Sequence, residues 1–216
     1  GTALIQDGLG DHYRMLAERL RRMTRNSGEP LRVIGITSST PREGVTTVAA
    51  NLTSALATEE QKRIALVDAN FTRPGLSTAL GLAERNGLAD VLVGGCDLEE
   101  VIQEGDDSNV SVIPAGTSIA RERCGFDTAN WEPVLEQLPR HFDLAVLDLP
   151  AATTTSLCLP LTALIDGVIL VLEAERARTR VAYRIKKSFL EMDAELLGVV
   201  FNKRPNHIPN WLYRRL

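Results

Sequence analysis

Hydrophobic residues recur along this chain in two rhythms. Short, nearly continuous apolar runs, "LRVIGIT" (31–37), "RIALVDA" (63–69), "VSVIP" (110–114), "LAVLDL" (144–149), "GVILVLE" (167–173) and "LGVVFN" (197–202), read as strands buried on both faces. Between them, apolar residues three and four apart mark amphipathic helices in "VTTVAANLTSALATEE", "NWEPVLEQLPRHF" and "TRVAYRIKKSFLEM". An earlier helix, "DHYRMLAERLRRM" (11–23), puts Tyr13, Leu16, Leu20 and Met23 on one stripe, and "NSGEP" breaks it. Strands alternating with helices predict a three-layer, doubly wound, mostly parallel α/β sheet with helices on both faces and ligands at the carboxyl ends of the strands. The expected organisation is a lead-in helix and linker over 1–30, an α/β domain over 31–204 and a C-terminal tail over 205–216.

Composition narrows the function classes more than the fold. With 216 residues, 44% of them hydrophobic, the chain can bury one sizeable core. Its formal charge of -4 gives no global electrostatic reason to expect nucleic acid. Cys96, Cys124 and Cys158 are far apart, without a CxxC pair or metal-ligand spacing, which fits a reducing, cytoplasmic compartment. No apolar run approaches the roughly 20 residues that cross a bilayer, and the start lacks a basic-then-apolar secretory pattern. His12, His141 and His207 show neither ligand nor triad spacing.

The candidate chemistry lies in "SSTPREGVTTVAANL" (38–52), a Ser/Thr/Gly loop between a strand and a helix. A phosphate cradle needs inward backbone N–H groups, a helix N-terminus, a lysine for the terminal phosphates and a hydroxyl for magnesium. Gly44 supplies the tight turn, Thr46 is placed for magnesium and Thr47 for an inner phosphate, while Val45 stands at the lysine position. Alone, the stretch reads equally as a plain turn with Thr46 and Thr47 capping a helix. Two strand-end acids, Asp68 in "ALVDANFTRP" and Asp148 in "LAVLDLPA", add a carboxylate pair that can bind magnesium directly or through water.

The blocks "ITSSTPREGVTTVAANL", "RIALVDANFTRPGLSTALGL", "GLADVLVGG", "VSVIPAG", "FDLAVLDLPA", "DGVILVLEA" and "LGVVFNKRP", in this order, resemble the bacterial tyrosine kinases (BY-kinases) and the cytoplasmic domains of polysaccharide co-polymerases. The resemblance runs from about Asp11 to Asn202 and implies a P-loop fold akin to the partition and septum-placement ATPases. It implies a Walker A loop over Arg42, Glu43, Gly44, Val45, Thr46 and Thr47, with Thr46 on magnesium, Asp68 as the Walker A' acid and Asp148 as the Walker B acid. Asn202 takes the strand-end position that approaches the nucleotide base, and also reads as a turn residue. ATP or ADP with magnesium are the implied cofactors. The implied partners are a membrane co-polymerase or export component, or further copies of the chain, at the inner face of the membrane through a partner or a flanking segment.

The departures from that pattern fall on the chemistry. Where the family has Pro-Gly-Glu-Gly-Lys-Ser/Thr, this chain has Pro41, Arg42, Glu43, Gly44, Val45 and Thr46, so a glycine and the lysine are replaced. The Walker A' series runs Asp68, Asn70, Thr72 before Arg73 and Pro74, with one acid made neutral. Losing one charge-assisted hydrogen bond weakens nucleotide binding by about 1.5 to 3 kcal/mol, whereas positioned cations in phosphoryl transfer are worth roughly a thousandfold or more. Arg42 reads either as a substitute cation or as a solvated loop residue.

The substrate side is thin as well. Tyr13, Tyr183 and Tyr213 form no tyrosine cluster. The family's ring-forming acidic-x-x-Arg-x-x-Arg pattern keeps Asp11 and Arg14 as candidate oligomerisation residues, with Ala17 in place of its last arginine. The expectation is therefore a BY-kinase-like pseudokinase, a regulatory or scaffolding part of exopolysaccharide synthesis or export with weak or no phosphoryl transfer. The alternatives are an active atypical tyrosine kinase or ATPase and, from another class, a partition-type ATPase touching DNA through Arg178, Arg180, Arg184, Lys186 and Lys187. That basic helix also reads as a solvated face, and Trp211, Leu212 and Leu216 beside Arg214 and Arg215 as a packed or partner-binding tail.

Overall fold

In the computed structural model, residues 10–25, 27–58, 62–81, 85–105, 109–124, 128–154, 158–174 and 179–203 are described. The tail over 205–216, with His207, Trp211, Leu212, Tyr213, Arg214, Arg215 and Leu216, and the cation Arg178 lie outside them.

Seven strands form one sheet: β1 (Val33–Ser38), β2 (Ile64–Asp68), β3 (Gln103–Glu104), β4 (Val110–Ile113), β5 (Leu144–Asp148), β6 (Gly167–Glu173) and β7 (Leu196–Asn202). Their order is β3-β4-β2-β5-β1-β6-β7, parallel throughout except for the two-residue β3 at one edge. Nine helices are described: α1 (Gly10–Arg21), α2 (Val45–Thr58), α3 (Leu76–Leu80), α4 (Leu88–Leu92), α5 (Leu98–Val101), α6 (Ser118–Arg123), α7 (Trp131–His141), α8 (Cys158–Thr162) and α9 (Thr179–Glu191).

The continuous apolar runs become strands because each alternate residue finds its own core. Ile34 and Ile36, Ile64 and Leu66, Val146, and Ile169 and Val171 pack on the side of α1 and α2. Val33, Ala65 and Val67, Ala145 and Leu147, and Val168, Leu170 and Leu172 pack on the side of α4, α7 and α9. Two apolar faces per strand thus build the three layers, as parallel sheets require. β7 departs from the expected double burial: as the edge strand it leaves Val199 and Phe201 exposed.

α1 belongs to the same core as the sheet. Tyr13, Ala17 and Leu20 are buried against α2, with Leu16 and Met23 partly covered, so the stripe expected through Leu16 is centred closer to Ala17. Arg21 Nη2 donates to Leu56 O over 3.1 Å and to Ala55 O over 3.4 Å, satisfying carbonyls in the last turn of α2.

β5 lies between β1 and β2, with Ile36 opposite Asp148 and Asp68 opposite Asp148. The chain leaves β1 toward β2 on one side and reaches β6 on the other, so the carboxyl ends of β1, β2 and β5 meet at a topological switch point. That crevice holds the loop over 38–44 and both strand-end acids.

Candidate functional site at the β1–α2 loop

The loop after β1 is tied down by a glutamate. Glu43 is 4% exposed, and its carboxylate accepts from Ser39 Oγ (2.9 and 3.1 Å), from Thr40 N (2.9 Å) and, at 3.4 Å, from Glu173 N at the end of β6. Thr153 Oγ1 donates to Ser39 O over 2.7 Å and Ala152 N to Ser38 O over 2.9 Å, fastening the same loop to the segment after β5. Internal polar groups therefore hold the turn without a ligand.

Two positions on either side of Glu43 carry left-handed backbone. Arg42 has φ 72° and Gly44 φ 94°. Glycine occupies such a conformation freely, whereas a residue with a Cβ is strained there. The position the family gives to glycine thus keeps the glycine-like turn with an arginine in it, and the Arg42 side chain is exposed. At Gly44 a Cβ would lie 2.1 Å from Asn202 Nδ2, which donates to Glu43 O over 2.9 Å.

α2 starts at Val45 with Val48 N donating to Gly44 O over 3.0 Å, so its unpaired first N–H groups face the crevice end of the sheet. Val45 is 9% exposed and belongs to the apolar cluster beneath α2. Thr46 Oγ1 donates to Asp148 Oδ2 over 2.6 Å. Thr47 is exposed, and its carbonyl accepts from Asn51 Nδ2 over 2.8 Å.

The two acids do different work. Asp68 Oδ2 accepts from Gly75 N and Leu76 N, each at 3.1 Å, and Oδ1 from Asn70 N at 3.1 Å, so its carboxylate organises its own loop. Phe71 in that loop stacks on the fully buried Trp131 with ring centroids 5.7 Å apart. Asp148 has only the Thr46 hydroxyl: its Oδ1 is buried without a hydrogen-bond partner among the described residues. Burial pushes Asp68 up to about 6 despite its three N–H partners and the charge of Arg121. Burial, and then the charge of Asp68, push Asp148 up to about 7 against the opposing effect of the Thr46 bond.

An orphaned, buried carboxylate oxygen beside a hydroxyl is what a hard cation would complete, so Thr46 and Asp148 fit magnesium. No group of three or more His, Cys, Asp or Glu that could hold a metal occurs among the described residues. Such an ion would take its remaining oxygens from nucleotide phosphates and water.

The structure thus brings Gly44, Thr46, Asp68, Asp148 and Asn202 to one crevice, and leaves Arg42 and Thr47 exposed at its rim. Among the described residues Asp11 and Arg14 pair with each other, over 3.3 Å on the exposed face of α1, while Ala17 is fully buried. Lys203 was not singled out by sequence reasoning. Its Nζ donates to Arg42 O and, over 3.2 Å, to Glu173 Oε2. The signal for it is the Glu173–Asn202 register of β6 and β7, which places the next residue beside Glu173. Ser39 and Thr153 were missed for a similar reason, since their partners are defined only by the meeting of distant loops.

Residues 31–187 match the AAA domain family, and the chain belongs to it. The chain is 30% identical over 181 residues to the succinoglycan biosynthesis transport protein ExoP of Rhizobium meliloti, a match that takes in 82% of this chain and 23% of that protein. It thus spans about a quarter of that protein's length. It is 26% identical over 173 residues to the tyrosine-protein kinase YwqD of Bacillus subtilis, covering 80% of this chain and 72% of the kinase. Among solved structures, the septum site-determining protein MinD of Pyrococcus horikoshii, complexed with Mg-ADP, superposes with a TM-score of 0.70 at 26% identity, covering 85% of this chain and 76% of that one. The fold is that of P-loop NTPases, and the chain is related to BY-kinases and to polysaccharide biosynthesis proteins.

Proposed function

We propose that this chain is a nucleotide- and magnesium-binding relative of the tyrosine kinases in which phosphoryl transfer is weak or absent. It acts as a regulatory or scaffolding component of exopolysaccharide synthesis or export, beside a membrane co-polymerase or export component or further copies of itself. The observation that carries this reading is the contrast between neighbouring residues. Thr46 and Asp148 form a hydrogen-bonded pair in which one buried carboxylate oxygen has no partner among the described residues, whereas Val45 turns its side chain into the apolar core.

Magnesium bound there would neutralise phosphate charge and hold the nucleotide against the N-terminus of α2. Thr46 orients Asp148 through the 2.6 Å hydrogen bond, Glu43 holds the turn, and Asn202 closes the loop from β7. With valine at the lysine position, the charge that moves onto the terminal phosphate during transfer lacks its usual partner from this loop, so binding persists while catalysis falls. The polysaccharide role rests on the kinship with ExoP and the tyrosine kinases.

Titration with ADP and ATP, with and without magnesium, followed by assays of ATP turnover and tyrosine phosphorylation, tests the reading. Magnesium-dependent binding without turnover is the expected result. Turnover abolished by Asp148→Ala would instead assign the chain to the active kinases or ATPases, and no binding of either nucleotide would reduce it to a scaffold alone.

A further inference from the structure

A cavity of about 230 Å³ opens between the first turn of α3 and the loop that joins β4 to α6. Pro74, Ser77, Thr78, Arg85, Pro114 and Arg121 line it, and Gly44, Thr46 and Asp148 do not. It is a second concavity, separate from the loop over 38–44.

Its electrostatics are unbalanced. Arg85 and Arg121 meet in one cavity whose lining includes no carboxylate. Among the described residues neither guanidinium has a hydrogen-bond or ion-pair partner. The acids behind the walls are already engaged. Asp68 accepts three backbone N–H groups, and Asp90, adjoining Gly116, accepts from Gly87 N (2.9 Å), Thr117 N (2.9 Å) and Thr117 Oγ1 (2.8 Å). The charge of Arg121 reaches Asp68 behind the wall, but the oxygens of that acid are taken by its own loop, and two like charges converging on a lining without a carboxylate still favour an anionic occupant.

The lining selects the kind of anion. Two planar guanidinium forks and the hydroxyls of Ser77 and Thr78 offer more donors than one carboxylate can use, and they suit the several oxygens of a dianionic phosphate. One water takes about 30 Å³, so the volume admits a group of several heavy atoms, and Pro74 and Pro114 give its organic stem apolar walls. We propose that this cavity binds a phosphate monoester, with Arg85 and Arg121 on the phosphate and the stem against the two prolines. The site does not depend on nucleotide use at Thr46.

Titration of the ¹⁵N-labelled chain with phenyl phosphate, read from amide shifts, tests this. Ser77, Thr78 and Gly116 are expected to shift, and Arg85→Gln and Arg121→Gln each to weaken binding about tenfold, the loss of one charge-assisted hydrogen bond. Arg121→Lys, which keeps the charge, should lose less than Arg121→Gln. A blocked phosphotyrosine peptide that binds at least as well as phenyl phosphate assigns the site to modified protein side chains. Its exclusion, with phenyl phosphate retained, assigns the site to a small soluble ester, and both outcomes support the proposal. Equal binding by wild type and the Arg85→Gln/Arg121→Gln double variant would overturn it. So would shifts confined to residues 42–47, or benzoate binding as tightly as phenyl phosphate.

Discussion

Thr46 Oγ1 donates to Asp148 Oδ2 over 2.6 Å across the gap between α2 and β5, and the other Asp148 oxygen is buried with no partner among the described residues. A folded protein seldom leaves a carboxylate oxygen in this state, because desolvating it without a hydrogen bond opposes folding. Asp68, opposite Asp148 on the adjacent strand, adds a second buried acid to the same place.

This arrangement predicts a pH-dependent stability. Asp68 is raised to about 6 and Asp148 to about 7, so between pH 4 and 7 the folded state binds more protons than the unfolded one, and stability falls as pH rises through that window. Asp148→Asn removes the charge and keeps the shape. It should raise stability by about 2 to 4 kcal/mol at pH 8, or roughly 5 to 10 °C in Tm, and change little at pH 4. Thermal denaturation at both pH values without divalent cations checks this, and an equal effect at the two would refute it.

Neighbouring left-handed positions should respond in opposite ways. Gly44→Ala forces a Cβ onto Asn202 Nδ2 at a φ of 94° and should destabilise by more than about 1 kcal/mol. Arg42→Gly relieves strain at φ 72°, worth about 1 to 2 kcal/mol, against up to about 1 kcal/mol of added unfolded-state entropy. Urea denaturation should therefore show an unchanged or higher midpoint for Arg42→Gly. A lower one would mean that the arginine side chain itself supports the loop.

Glu43→Gln tests whether the turn is held from within. The variant places an amide among groups that donate to the carboxylate, Ser39 Oγ and Thr40 N, and should cost about 1 to 3 kcal/mol. Backbone amide exchange at Thr40 should rise as well. Unchanged stability together with unchanged exchange would show that the carboxylate is dispensable.

Val45→Lys should separate stability from binding. Removing a side chain that is 9% exposed from the core costs about 1 to 2 kcal/mol, read from Tm without nucleotide. A lysine that reaches the crevice should also raise ATP affinity about tenfold by adding one charge-assisted hydrogen bond. A stability loss without gain in affinity would place a second obstacle in the loop, with Arg42 the first residue to examine.

The fold was largely legible in the chain. Six apolar runs became the six parallel strands, because a strand buried on both faces is apolar on both whatever its neighbours are; β7, apolar but exposed at the edge, is the one strand that double burial does not explain. The short helices α3 to α6 and α8 and the two-residue β3 were not anticipated, since four to six residues carry too little periodicity to stand out. Gly44, Thr46, Asp68 and Asp148 were legible as a site because each sits at a strand end or helix start, where the backbone order alone brings such residues together.

Sequence alone, then, determined the α/β architecture, the strand-end acids and the valine at the lysine position, all of which follow from local pattern and chain order. Tertiary structure decided how those residues divide their labour. Asp68 and Asp148 are both aspartates at strand ends. One spends its oxygens on three backbone N–H groups of its own loop, while the other keeps an oxygen without a partner among the described residues at the junction of β5 and α2. The same holds for the meeting of Arg85 with Arg121 and of Glu43 with the end of β6. Hydrogen-bond partners and converging charges come from segments far apart in the chain, and only the packed sheet fixes which of them meet.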